Sequence, residues 1–91
     1  MEAAAIRRVL GPRLGDCRVA SVKGALGHAI AAAGAMGLLC AIEAISSGRL
    51  MPTAGLERPD SDCDLPHVTG LAQQRRTETA LVNSFAFGGA N

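Results

Sequence analysis

From His28 to about Ser47 the chain reads as one long helix built almost wholly of small and aliphatic residues. Ile30, Ala33, Gly34, Gly37, Leu38 and Ala41 recur at helical spacing and share one face. A face of alanine and glycine offers little side-chain volume. It is buried well only where a second backbone comes close. Gly48 is placed to close the helix as its C′ residue. Between Lys23 and Glu43 the only ionisable residues are His28 and Cys40. The uninterrupted apolar part, Ala29 to Ile42, is shorter than the roughly 20 residues a bilayer span needs. A packed helix and no membrane span are therefore expected.

The rest of the composition points the same way. With 91 residues the chain is at most one small domain, and a chain of this size is marginal alone. It is 48% hydrophobic and 19% charged, which is globular rather than disordered. Yet it has no Trp, no Tyr and only two Phe, so large side chains cannot fill a core. That suits a helix inside a larger protein better than a free-standing miniature domain. A net charge of +1 gives no global electrostatic case for nucleic acid or an anionic membrane. Cys17, Cys40 and Cys63 are odd in number and unevenly spaced, and the first helix carries Glu2, Arg7 and Arg8 rather than an apolar run. A reducing, cytoplasmic setting without a signal peptide is the expectation.

Glu2 to Leu10 reads as a helix stopped by Gly11-Pro12. Arg18-Val19-Ala20-Ser21 reads as a short strand that delivers the Lys23 loop. Arg49 to Gly70 is irregular, with Pro52, Gly55, Pro59, Asp60 and Pro66 marking turns. Such a long connection usually runs over a surface already built. Thr77 to Ser84 reads as a strand with Ala80, Leu81 and Val82 buried. A glycine turn follows from Phe85 to Gly89; the returning strand that such a turn predicts is not expected within these 91 residues, which would leave an open edge.

Two segments carry chemistry. In Ser21-Val22-Lys23-Gly24-Ala25-Leu26-Gly27-His28 a lysine and a histidine flank a glycine-bearing turn before the long helix. A histidine at a helix start lies near the positive end of the dipole, which disfavours imidazolium. Neutral imidazole there can donate an N–H to a carbonyl oxygen on which charge develops, while lysine adds a positive charge. The competing reading is a capping histidine and a solvated lysine. In Asn83-Ser84-Phe85-Ala86-Phe87-Gly88-Gly89-Ala90-Asn91 the two phenylalanines meet two glycines. Backbone N–H groups in such a turn can face an oxyanion, because Gly88 and Gly89 allow close approach. The competing reading is a hairpin with two core aromatics.

Together, in this order, the two segments resemble the C-terminal end of a β-ketoacyl-acyl-carrier-protein synthase. Ser-x-Lys followed by Gly-His and a run ending Ala32-Ala33-Gly34 is typical of ketosynthases. The terminal segment is similar to the family's Asn-Ser-Phe-Gly-Phe-Gly-Gly-x-Asn. Met51-Pro52-Thr53 and Pro59-Asp60-x-x-Cys63-Asp64 resemble further family stretches, as does the helix beginning at Glu2. The resemblance covers practically the whole chain. It implies an α/β fold, thiolase-like with layered α/β/α architecture, of which residues 1–91 are a part of the C-terminal half. It implies decarboxylative Claisen condensation of acyl and malonyl thioesters in fatty acid, polyene or polyketide biosynthesis. His28 is then the second active-site histidine, which binds the malonyl thioester carbonyl, and Lys23 the active-site lysine. Phe87 is the gating phenylalanine whose backbone N–H contributes to the oxyanion hole, with Phe85 and Gly88 lining the same pocket. No cofactor or metal is implied. The implied partners are an acidic acyl carrier protein and a second subunit, in a homodimer or heterodimer.

Two departures bear on the subfamily. Ala86 stands where the family mostly has glycine, and Gly37 where the fatty-acid enzymes usually carry glutamate and polyketide-type relatives commonly have glycine. The family's nucleophilic cysteine lies upstream of the matched stretch, and Cys17, Cys40 and Cys63 are not its equivalent. The isolated 91 residues are therefore expected to be inactive in condensation. Alternatives are a non-catalytic remnant or interaction subunit that pairs with a complete synthase, and a small nucleotide-binding module suggested by Gly24-x-x-Gly27. That last segment lacks Gly-x-Gly and a following acidic residue. Cys63, Asp64 and His67 lack a second ligand pair for a metal.

Overall fold

The long helix is shorter at its start than the sequence suggests. In the computed structural model, which describes residues 1–86, 88 and 89, α1 spans Glu2–Leu10, α2 Lys23–Leu26 and α3 Ala33–Ser47. A 3-10 turn over Ile30–Ala32 leads into α3. His28 thus precedes the helix rather than opening it. The break follows from Gly27, whose φ of 72° ends α2 and turns the chain outward before α3 can begin. At its other end α3 closes as expected, with Gly48 left-handed and its N–H bonded to the carbonyl of Ala44.

The small-residue face of α3 is covered, but by side chains rather than by the closely approaching backbone that was anticipated. A Cβ on Gly34 would stand 3.1 Å from Ser84 Oγ, and one on Gly37 3.0 Å from Val82 Cγ1. The segment 82–84 therefore lies directly over the small-residue face. Ala33, Gly34, Gly37 and Ala41 are half-buried there, whereas Ile30 and Leu38, assigned to the same face, are exposed. The covered stripe is narrower than the periodicity implied, because one extended segment covers only one groove.

Neither predicted strand forms as such. Residues 18–21 contribute a single parallel bridge, Val19 to His67, with Val19 N–H donating to Pro66 O and Val68 N–H to Val19 O. Residues 77–84 have no strand partner among the described residues, and Leu81 is 86% exposed where burial was expected. A strand is a paired object; an apolar β-branched run without a neighbour stays extended and unladdered. The sheet that does form is a two-residue antiparallel pair, β1 (Arg49–Leu50) with β2 (Gln73–Gln74). It closes the irregular connection on itself, and Arg75 N–H donates to Gly48 O at 2.7 Å.

α1 stops at Gly11 as expected and runs on into a 3-10 turn over Gly11–Asp16. Its Arg7 reaches across to the connection: the guanidinium donates to the carbonyl of Asp64 at 2.8 Å and to that of Asp62 at 3.3 Å. The radius of gyration is 13.0 Å, near the ~12 Å of a compact chain of this length. Even so, among the described residues only Ala3 and Val68 are buried. The outer side of α3 explains this, since Leu38, Leu39, Ile42 and Ile45 all face solvent. The helical run Ile30–Ser47 has 18 residues and a mean hydropathy of 1.7. By length and composition it meets the requirement for crossing a membrane. The helix ends at Ser47 as expected and its uninterrupted apolar part still stops at Glu43; a core helix of a soluble protein meets the same length and composition test.

Candidate active site

Lys23 opens α2, a single turn with no side-chain cap at its start. Ser21 Oγ accepts from the Lys23 N–H at 3.3 Å, and Gly27 N–H returns to Lys23 O at 2.9 Å. The turn therefore holds the lysine backbone in place while the side chain stays exposed.

His28 is fixed by its own neighbour. Its Nδ1 accepts a hydrogen bond from the backbone N–H of Ile30 at 2.9 Å. A nitrogen that accepts carries no proton, so the neutral ring bears its hydrogen on Nε2 and presents it as a donor. The backbone geometry that makes this bond is strained. Ile30 has φ 49°, the only positive φ of a non-glycine among the described residues, and it is β-branched. A local backbone contact thus selects the tautomer, and the helix-start position expected for His28 is not the one it takes, since α3 begins at Ala33.

Lys23 and His28 face one cleft of about 250 Å³ together with Ser84, Phe85 and Ala86. Ile30, Ala31, Ala33 and Gly34 complete its wall. The two segments singled out in the sequence, far apart along the chain, therefore meet across the start of α3. The glycine at position 34 makes the meeting possible, since Ser84 sits where a larger side chain would stand. Gly88 adopts φ 89° in a turn, with Gly89 N–H near Ala86 O at 3.4 Å. Phe87, the expected gate, lies outside the described residues. Ser84 and Ile30 are cleft residues that the motif reading did not select. Ser84 stood inside a quoted motif but beside more conspicuous aromatics. The role of Ile30 depends on a backbone angle that no side-chain pattern encodes.

The other candidate chemistry disperses. Cys17, Cys40 and Cys63 are free thiols and none lines the cleft. His67 Nε2 is 2.8 Å from the carbonyl of Cys63, which ties the ring to the backbone of its own loop. Among the described residues no group of His, Cys, Asp and Glu is arranged to hold a metal ion.

An imidazole N–H donor, a lysine and an apolar wall with glycine turns suit polarisation of a carbonyl next to an apolar chain. The sequence profile of the beta-ketoacyl synthase C-terminal domain matches residues 1–57. The chain belongs to the beta-ketoacyl synthase family. It is 41% identical over 88 residues to the tetracenomycin polyketide synthase ketoacyl synthase alpha subunit of Streptomyces glaucescens, covering 97% of this chain and 21% of that protein. It is 38% identical over 91 residues to 3-oxoacyl-[acyl-carrier-protein] synthase 2 of Coxiella burnetii, covering 100% of this chain and 22% of that protein. Nodulation protein E of Rhizobium sp. (strain N33) is 37% identical over 91 residues, with 100% and 23% covered. The chain thus spans about a fifth of the length of these three relatives. The profile reaches Lys23 and His28, while the alignments with the Coxiella and Rhizobium relatives extend over the terminal Phe85 segment as well.

Proposed function

We propose that this chain is the part of a 3-oxoacyl-acyl-carrier-protein synthase that receives the malonyl thioester. The observation that carries the reading is the convergence of Lys23, His28 and the Ser84–Ala86 segment on one cleft. In this reading the fold is a portion of a thiolase-like layered α/β/α body, and residues 1–91 belong to its C-terminal domain. α3 is one of its interior helices rather than a membrane span. The partners are an acyl carrier protein and a second synthase subunit, in a cytoplasmic setting.

The step follows from the tautomer. His28 Nε2–H donates to the thioester carbonyl oxygen of malonyl carrier protein. As the bond to the terminal carboxylate breaks and carbon dioxide leaves, the electron pair moves into the thioester and that oxygen becomes an enolate. The donor is already aimed at the charge as it forms. Lys23 adds a positive charge near the departing carboxylate and the enolate. The enolate carbon then attacks an acyl thioester held on the synthase's nucleophilic cysteine, a residue other than Cys17, Cys40 or Cys63. A carbon–carbon bond forms and the cysteine thiolate leaves. The Phe87 backbone N–H takes the oxyanion of that second addition, with Phe85 and Gly88 beside it.

The test is carbon dioxide release from malonyl carrier protein by the protein purified from its native gene, at whatever length that gene encodes. His28→Ala and Lys23→Ala are each expected to lower the rate on the order of a hundredfold. Unchanged rates in both variants would remove the reading.

A further inference from the structure

The Lys23 loop is held from behind by residues 51–54. Ser21 N–H donates to Thr53 Oγ1 at 2.9 Å, a half-buried bond between segments remote in sequence. Thr53 is itself fixed, because its N–H donates to the carbonyl of Val68 at 2.9 Å. Val68 has 0% exposure, and its own N–H bonds to Val19 on the strand-like stretch that leads into the loop. Gly24 lies against the backbone carbonyl of Ala54 so tightly that a Cβ there would collide with it. On the rear of the turn, Val22 and Leu26 border a small apolar cleft with Met51 and Pro52. α2 is one turn long and has no side-chain cap, so by itself it has little reason to persist in water.

We propose that Thr53 is a positioning residue for Lys23, its hydroxyl oxygen capping the Ser21 N–H and so setting where the α2 turn stands at the cleft. The chain of contacts runs from the fully buried Val68 through Thr53 to Ser21, and Ser21 Oγ in turn receives the Lys23 N–H. Threonine suits the task because its branched Cβ restricts χ1 and keeps the hydroxyl in one direction. Without the hydroxyl, Ser21 keeps a half-buried N–H with no acceptor, and the turn gains freedom to move off Ala54. The consequence for chemistry rests on the reading of Lys23 as part of the malonyl site.

Thr53→Val keeps the shape and removes the acceptor; Thr53→Ser restores it. Two measurements on the protein from its native gene separate the claims. The first is amide hydrogen exchange over residues 20–27, which needs no substrate. Exchange is expected to quicken in Thr53→Val and to return toward the parent rate in Thr53→Ser. Equal exchange in all three overturns the proposal. The second compares malonyl decarboxylation with loading of an acyl group onto the nucleophilic cysteine. Decarboxylation is expected to fall on the order of tenfold or more in Thr53→Val, with recovery in Thr53→Ser, as for other supporting-residue losses. Acyl loading is expected to hold. Decarboxylation and loading falling together would mean a general structural role and also overturn it. If Lys23→Ala leaves decarboxylation intact while exchange still responds to Thr53, the malonyl-site reading fails and the tether stands.

Discussion

The Ile30 backbone N–H points at His28 Nδ1 across 2.9 Å, and this one contact decides which ring nitrogen is left to act. It is made at a positive φ that a β-branched residue adopts only under constraint. Nitrogen-15 spectra of histidine-labelled protein in mildly alkaline buffer are therefore expected to show His28 as the Nε2–H tautomer. Ile30→Gly keeps the N–H and removes the strain. It is expected to raise stability by about 1 kcal/mol in urea unfolding with the tautomer retained. The Nδ1–H form in the parent protein would contradict the assignment.

Gly37 faces Val82 with no room for a branched side chain. Gly37→Leu is expected to drive residues 82–86 off α3, to cost about 1–3 kcal/mol, and to depress decarboxylation because the Phe85 wall moves. Gly34→Ala meets only the end of the Ser84 side chain. There the gain in helix propensity, about 1 kcal/mol, offsets a small displacement. Paired urea unfolding curves check the contrast, and equal destabilisation by both changes would argue against it.

Arg7 ties α1 to the carbonyls of Asp62 and Asp64. The contact is exposed, and Arg7 does not line the cleft. Arg7→Met is expected to lower stability by about 1 kcal/mol without changing the decarboxylation rate. A rate that falls with stability unchanged would place Arg7 in the chemistry instead.

Leu38, Leu39, Ile42 and Ile45 present an apolar side of α3 to solvent. The isolated 91-residue polypeptide is expected to self-associate and to enhance the fluorescence of a hydrophobic dye. Leu39→Lys combined with Ile42→Lys is expected to reduce both effects. Light scattering that shows a clean monomer before the substitutions would refute this.

The helices and the site were legible in unequal measure. α1, the Gly48 stop and the small-residue face at Gly34 and Gly37 follow from short-range spacing, which a sequence displays directly. Lys23, His28 and Phe85 were chosen by motif, and they line one cleft. What the sequence hid was non-local or purely backbone. The stretch at Val19 and the run through Leu81 have strand composition, but a strand exists only with a partner, and composition does not name one. The positive φ of Ile30 and the hydroxyl bridge from Thr53 to Ser21 leave no mark in hydrophobic periodicity.

The pairing of β1 with β2 and the Arg75 to Gly48 bond bring the two ends of the irregular connection to the same point. Geometrically the intervening residues are a detour that departs and comes home. Lengthening such a detour at its far tip adds little closure entropy and leaves the endpoints where they were. Glu57 and Arg58 occupy an exposed bend well along it. That bend is a natural socket: a peptide tag or reporter spliced between Glu57 and Arg58 would ride outside the molecule while the register of α3, and with it the cleft, stays undisturbed.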